Sequence, residues 1–237
     1  MLRFIRYGFM PNRLGYCGPD QNNLLFQYGI ERTVDPELQP LLTQFLGPLT
    51  YLKTIASAAD VADPFDERVV EAYWVGNELL ERAQPGELYS ALRERFRKQL
   101  SPRMMDLVAG QVPQGARPHH SFHVFDVWRQ VGRLDGNVLG TMDNCRISWG
   151  RVRSVDGAAV VVDRRPLRFL DGVLELGDAE PSIATRLVEG KGFVTEVATG
   201  DLVSMHWGWV CERLTARQAN SLEHYTRHHL RLASKSI

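Results

Sequence analysis

The sequence predicts an α+β protein with an all-α N-terminal domain, followed by a small β-barrel with a C-terminal helix. Helix-start signals of the form Asp-Pro or Ser-Pro recur in the first half, at residues 35–36, 63–64 and 101–102. From about residue 144, short β-branched runs alternate with Asp-Gly turns. We therefore expect a helical domain over 1–118, a connecting segment over 119–142, and the barrel with its final helix over 143–237.

The individual elements are predicted from the positions of glycine and proline and from the spacing of apolar residues. Residues 1–18 are expected to be irregular, because glycine and proline interrupt them repeatedly. Helical spacing then predicts helices over about 20–32, from Asp35, on both sides of Gly47-Pro48, after Asp63, after Pro85-Gly86 and from Ser101. Residues 110–118 are typical of a linker, and 119–131 fit a further helix. A capping box at Thr215-Ala216-Arg217-Gln218 predicts the start of the C-terminal helix.

Composition excludes several classes of protein. A formal net charge of +0 argues against a nucleic-acid binder that neutralises phosphates. No apolar run approaches the roughly 20 residues of a membrane span. The first residues carry charge but no apolar region or cleavage site, so no signal peptide is expected. With 3 cysteines at unrelated spacings, the chain fits the reducing cytoplasm better than a disulfide framework.

A cysteine and a histidine mark the two ends of the predicted barrel. Cys145 is expected to start its first strand and His206 to lie on its last strand, where a barrel brings them close together. Thiolate and imidazole together suit a soft metal ion such as iron, copper(I) or zinc. The alternatives are a buried strand cysteine and a hydrogen-bonded strand histidine.

A histidine-rich segment at residues 118–123 is a second candidate. If it is helical, His119 and His123 lie one turn apart on one face, and His120 is three residues from His123. That spacing can chelate a metal, although the glutamate of the zinc-protease motif is missing. Exposed or capping histidines are the alternative. We hypothesise that this segment faces the cysteine–histidine pair and completes its site.

Cys17 lies in the glycine-rich turn Gly15-Tyr16-Cys17-Gly18-Pro19. It is a candidate for a further metal ligand, and the alternative is a turn cysteine packed under Tyr16. Cys211 is expected in the core. The sequence contains neither a phosphate-binding glycine motif nor a G-x-S-x-G nucleophile elbow.

The last part of the chain contains three elements in a characteristic order. Cys145, Gly150 and Val152 form the first, and the turn Asp156-Gly157 with its following strand forms the second. The third comprises Gly200, Asp201, Val203, His206, Gly208, Arg213 and Leu214. This order resembles the HypC/HupF family of NiFe-hydrogenase maturation chaperones, which begin C-x-x-x-P-G-x-V and end G-D-x-V-x-V-H-x-G, an Arg-Leu pair and a helix. The resemblance implies a HypC-like, OB-like barrel.

The same resemblance implies a function. Cys145 would be the main ligand, and His206 the supporting ligand, of an iron ion that carries cyanide and carbon monoxide. Implied partners are a HypD-like maturation scaffold and the hydrogenase large subunit. Residues predicted at partner-binding surfaces are Trp149, Trp207, Trp209 and Arg146. Through residues 15–19 and 119–123, the whole chain also resembles a bacterial family found with hydrogenase genes.

Three departures separate the chain from the HypC/HupF pattern. Cys145 is internal, so no α-amino group lies beside its thiol. Trp149 replaces the family proline, and residues 166–195 lengthen the middle of the domain. Two alternative functions therefore stand beside the maturation chaperone: a metalloenzyme that acts on a small ligand such as carbon monoxide, and a protein-interaction module without metal chemistry.

Overall fold

Helices precede the strands, as predicted. The structure, a computed structural model, describes residues 1–128 and 138–234. The helices of the first half are α1 (Leu2–Arg13), α2 (Asn22–Glu31), α3 (Leu38–Leu42), α4 (Leu46–Ala58), α5 (Glu67–Trp74), α6 (Pro85–Phe96) and α7 (Pro102–Gln111). A short 3-10 helix, Glu78–Glu81, separates α5 from α6.

The first helix departs from the sequence prediction. Glycine and proline predicted irregular structure over 1–18, but most of this segment is α1. Its fully buried aromatic side chains are Phe4, Tyr7 and Phe9. Their packing outweighs the low helix propensity of glycine and proline. Pro11 lies near the end of α1, where it has no N–H to donate to the Tyr7 carbonyl four residues earlier.

The predicted helix over 119–131 is also different in detail. His119 has extended backbone and caps α8 (His120–Phe122), a single turn. The chain continues as a π-helix, His123–Trp128, while 129–131 lie outside the described residues. A further helix, α9 (Val138–Cys145), leads into the sheet.

The strands of the described chain are β1 (Ser148–Asp156), β2 (Ala159–Arg164), β3 (Leu167–Leu170), β4 (Val173–Leu176), β5 (Glu180–Thr185), β6 (Leu202–His206) and β7 (Trp209–Arg213). Within these residues, β1, β2, β5, β7 and β6 pair in that order, and β6 pairs back to β1. The pairings are antiparallel except for a parallel contact between Thr185 of β5 and Trp209 of β7. Strands β3 and β4 form a separate hairpin.

Turn chemistry agrees with the sequence. Asp156-Gly157 lies at the tip of the β1–β2 hairpin, and Asp171-Gly172 lies between β3 and β4. Packing explains why residue 150 is a glycine, because a Cβ atom at Gly150 would lie 2.1 Å from the carbonyl oxygen of Asp163 on β2. Glycine is thus required for the close approach of the two strands.

The predicted capping box is confirmed. The Gln218 backbone N–H donates to Thr215 Oγ1 at 3.2 Å, and the Thr215 N–H donates to Gln218 Oε1 at 2.9 Å. These bonds satisfy backbone groups at the start of the C-terminal helix, α10 (Ala216–Ser234).

Helices and sheet share a common core. Trp209, Cys211 and Leu214 belong to the same apolar cluster as Phe4 and Phe9 of α1. Helix α1 therefore packs against β6 and β7, which places its backbone beside the end of β6. In the described residues, none of the helices combines the length and the apolar character needed to cross a membrane.

Candidate metal centre

Three side chains with metal-binding atoms converge where α8, α9 and β6 meet. Among the described residues, one ligand atom each of His120, Cys145 and His206 lies within 4.8 Å of the others. The sequence predicted all three as ligands, and the structure brings them together. Two placements differ from the prediction: Cys145 ends α9 before β1 begins, and His206 ends β6, with β7 still to follow.

Strand pairing explains why the cysteine meets the histidine. Strand β1 runs antiparallel to β6, with Ser148 opposite Met205. Cys145 precedes β1 and His206 follows Met205, so both lie at the same end of the strand pair. The Trp207 backbone N–H donates to the Asn144 carbonyl at 2.9 Å, which holds the end of α9 against the turn after β6.

His206 is held with one ring nitrogen free. Its Nδ1 lies 2.7 Å from the Tyr7 carbonyl oxygen. A carbonyl only accepts, so Nδ1 carries the proton and Nε2 keeps its lone pair. Nε2 is buried and makes no hydrogen bond within the described residues. Pro11 explains the free carbonyl, because it lacks the N–H that would otherwise reach Tyr7 within α1.

His120 is oriented by two hydrogen bonds. Nε2 lies 2.8 Å from the Cys145 carbonyl oxygen, to which it donates, and Nδ1 lies 3.1 Å from the Tyr73 hydroxyl. Nδ1 is therefore the acceptor, and it is the atom that can bind a metal if the Tyr73 hydroxyl gives way. A ligand histidine whose second N–H donates to a backbone carbonyl is a common arrangement at metal sites.

Burial keeps the two imidazoles neutral. It lowers the pKa of His206 to about 4, and the pKa of His120 falls well below its ordinary value of 6.5 for the same reason, with the nearby His206 adding to the effect. Trp74 supplies much of the apolar wall, with ring centroids 4.6 Å from His120 and 5.5 Å from His206. Both histidines therefore offer lone pairs at neutral pH.

Cys145 is half-buried and protonated at neutral pH. Loss of hydration raises the pKa of its thiol to about 12, the proximity of Cys17 raises it further, and the Trp207 side chain acts in the opposite direction. A metal cation would supply the positive charge that a thiolate needs here, with release of the proton. The three groups thus form a thiolate and bis-imidazole donor set.

Comparison with protein families assigns the chain to one family. All of it, residues 1–237, matches a family model described as "Family of unknown function (DUF6390)". The chain belongs to this family. No curated protein and no solved structure matches it. The family description names no activity.

Of the three histidines predicted as ligands in residues 118–123, His120 belongs to the converging group, whereas His119 and His123 of this DUF6390 protein lie outside it. His119 Nδ1 instead accepts from the Ser121 N–H at 3.1 Å, and His123 Nδ1 lies 3.1 Å from the Tyr51 hydroxyl. The helical spacing that united His119 and His123 does not apply, because His119 is a cap and His123 begins a π-helix.

His119 belongs to a second hydrogen-bonded group. The Ser121 hydroxyl lies 2.7 Å from His119 Nδ1 and 2.7 Å from His229 Nδ1. All three side chains are buried. Burial lowers the pKa of His119 to about 3. This group ties α8 to α10 and so holds the segment that carries His120.

The residues predicted to bind partners have different exposures. Trp149 and Trp207 are half-buried, whereas Trp209 and Arg146 are buried and present no side-chain surface to a partner. Arg146 forms an ion pair with Asp143 at 2.8 Å, and Asp143 also pairs with Arg164 at 2.9 Å. The predicted surface is therefore reduced to the two half-buried tryptophans.

Sequence reasoning missed the groups that support the ligands. Tyr7, Tyr73 and Trp74 contact the two histidines from helices far away in the chain. The sequence signal that pointed toward one of them was Pro11, since a proline within a helix leaves a carbonyl without its usual donor. Cys17, also predicted as a ligand, is not among the three converging groups.

Proposed function

We propose that this protein binds a thiolate-preferring metal ion at His120, Cys145 and His206, and that it serves as an accessory protein in NiFe-hydrogenase maturation. The main support for the metal site is that ligand atoms of these three residues lie within 4.8 Å of one another. In addition, Nε2 of His206 has no hydrogen-bond partner among the described residues. The maturation role is supported by the resemblance to HypC/HupF chaperones.

The donor set favours a soft or borderline divalent ion. One thiolate and two imidazoles suit iron, zinc, copper or nickel, whereas magnesium and calcium prefer oxygen ligands. Both imidazoles are neutral at physiological pH, so only Cys145 has to lose a proton. The backbone carbonyls of Tyr7 and Cys145 fix the rings before any metal arrives.

In the maturation role, the ion is iron with cyanide and carbon monoxide ligands. Cys145 is the main ligand and His206 the supporting ligand, as in the family pattern, and His120 takes a third position. The cyclic pairing of the strands supports a HypC-like, OB-like barrel as the frame of the site. A HypD-like scaffold and the hydrogenase large subunit are the partners, and the cytoplasm is the compartment.

The test is anaerobic purification from a hydrogenase-producing host, followed by metal analysis and infrared spectra over the cyanide and carbonyl stretching region. Wild type is compared with Cys145→Ala. Cys211→Ala is the matched control, because Cys211 is a buried cysteine outside the convergent group. The proposal predicts iron with these bands in wild type and control, and loss of both in Cys145→Ala.

Other outcomes separate the two parts of the proposal. Metal that depends on Cys145 without cyanide or carbonyl bands would keep the metal site and remove the maturation role. A folded wild-type protein that retains and binds no metal would remove both parts and favour the interaction module.

The burial of His120 and His206 favours one further candidate, a metalloenzyme. A centre enclosed by protein suits chemistry that excludes water better than open delivery to a partner. This candidate predicts that the purified metal-loaded protein binds or converts carbon monoxide without any partner. A chaperone instead requires its partner before the metal and its ligands change.

A further inference from the structure

The Tyr73 hydroxyl lies beside one of the three candidate ligand atoms. Its Oη is 3.1 Å from Nδ1 of His120, the nitrogen to which we assign the metal. Donor atoms that each lie about 2.0–2.1 Å from one ion are about 3 Å apart. Oη therefore has the separation from Nδ1 that neighbouring ligands have. A short sideways movement of the hydroxyl lets an ion reach the Nδ1 lone pair while Oη stays close enough to bind it.

Packing keeps the Tyr73 ring at the centre. Tyr73 is the penultimate residue of α5 and is fully buried. Its ring stacks on Tyr51, with centroids 5.4 Å apart, and meets the Trp74 ring edge-on at 4.6 Å. A metal that takes the lone pair of His120 Nδ1 deprives the buried hydroxyl of its hydrogen-bond partner. Such a loss is costly, and binding of the hydroxyl to the ion would offset it.

The Tyr73 phenol needs a strong cation before it loses its proton. Burial raises its pKa well above the ordinary value of 10, and Tyr51 and Cys145 add to the effect. Iron(III) has a higher charge than iron(II) or zinc, and it is a harder ion that prefers anionic oxygen. It is therefore the form of the metal that can convert the phenol into a phenolate ligand.

Charge balance favours the same event. His120 and His206 are neutral at physiological pH. Iron(II) with the Cys145 thiolate leaves one net positive charge in the buried centre. Iron(III) with the thiolate and a Tyr73 phenolate leaves the same net charge. Because additional charge is costly in a buried site, loss of the phenolic proton compensates for loss of the electron.

We propose that Tyr73 is a redox-dependent fourth ligand, bound as phenolate to iron(III) and released as phenol from iron(II). This inference rests on the proposed function and adds a switch to the same site. On oxidation, one electron passes from iron(II) to a one-electron oxidant. The O–H bond of Tyr73 breaks, its proton passes to solvent, and an iron–oxygen bond forms. The iron(II) state keeps a coordination position open for an exogenous ligand, and the iron(III) state closes it.

The test uses the reduced, metal-free, full-length chain, which is loaded anaerobically with iron(II) and then oxidised with ferricyanide. Resonance Raman spectra distinguish a bound phenolate from a bound thiolate, because only the phenolate vibrations shift when the protein contains ring-deuterated tyrosine. We expect phenolate vibrations in the wild type and their loss in Tyr73→Phe. Tyr51→Phe is the matched control, since Tyr51 is also buried and its hydroxyl lies 3.1 Å from Nδ1 of His123.

The midpoint potential of the bound iron gives a second readout. The phenolate stabilises iron(III), so Tyr73→Phe should lower the relative affinity for iron(III) about tenfold and shift the potential by about 59 mV in the positive direction. Zinc leaves the phenol protonated, and its affinity should not fall in the same variant. A role of Tyr73 in packing alone would affect the binding of both metals alike.

The outcomes separate this inference from the proposed metal site. A wild-type iron(III) protein without phenolate vibrations, or a Tyr73→Phe protein that retains them, would overturn the role of Tyr73 and leave the metal site intact. Absence of iron binding by the wild type in both oxidation states would overturn the role of Tyr73 together with the proposed iron centre.

Discussion

Pro11→Ala is expected to weaken metal binding without destabilising the fold. Pro11 leaves the Tyr7 carbonyl free, and His206 Nδ1 donates to that carbonyl at 2.7 Å. Alanine restores an N–H in α1 that competes for the same oxygen. Because alanine is also a better helix former than proline, the substitution should leave the free energy of unfolding unchanged or slightly higher.

The size of the loss in zinc affinity follows from the hydrogen bond between His206 Nδ1 and the Tyr7 carbonyl, which the new N–H would share. Removing an outer-shell partner of a metal ligand typically lowers affinity 10- to 100-fold. The Tyr7 oxygen has two lone pairs and can accept from both donors, so we expect the lower end, about tenfold. Zinc affinity should therefore fall in Pro11→Ala while the free energy of unfolding does not.

Competition with a chromophoric zinc chelator gives the affinity, and urea unfolding gives the stability. Pro40→Ala is the matched control, since Pro40 is an exposed proline within α3. Nitrogen NMR of the imidazole in the metal-free protein reports the His206 tautomer directly. Unchanged zinc affinity and an unchanged tautomer in Pro11→Ala would show that the free Tyr7 carbonyl does not prepare His206 for metal binding.

Three further predictions concern the surroundings of the site. Asp143→Ala leaves the Arg146 guanidinium buried without its main partner, and urea unfolding should show a loss of about 3–5 kcal/mol; a loss below about 1 kcal/mol would contradict this. The pKa of His119 is about 3 in the folded state, compared with an ordinary value of 6.5, so protonation favours the unfolded state. The free energy of unfolding should therefore fall as pH decreases from 6.5 toward 3. His119→Gln should make that fall shallower in unfolding curves recorded across this range, and an identical slope would count against it. Tyr73→Phe removes the hydroxyl that occupies His120 Nδ1, so zinc affinity should rise or stay equal; a tenfold fall would mean that His120 does not bind through Nδ1.

The order of the motifs was enough to predict that Cys145 and His206 would meet. Both lie at the same end of the antiparallel pair β1 and β6, so their proximity follows from strand pairing. Local turns and helix caps could also be predicted from the sequence, as the Asp-Gly turns and the Thr215 capping box demonstrate. Such features depend on residues that are near in sequence or paired in register.

Features that depend on distant packing could not be predicted. Tyr7 supports His206 across 199 positions of sequence. Pro11 marks the Tyr7 carbonyl as lacking its helical donor, but no local pattern identifies His206 as the partner of that carbonyl. The choice of His120 over its two neighbours depends on a change from a single α-turn to a π-helix, which helical spacing does not anticipate. Helix α1 was missed because buried aromatic packing outweighed its glycine and proline.

X-ray absorption spectroscopy of the zinc-loaded protein tests directly whether His120, Cys145 and His206 bind one metal ion. We expect sulfur at about 2.3 Å and imidazole nitrogen atoms at about 2.0–2.1 Å from one zinc ion, with loss of the sulfur from Cys145 in Cys145→Ala. A shell of oxygen atoms alone, or a wild-type spectrum that Cys145→Ala leaves unchanged, would contradict it.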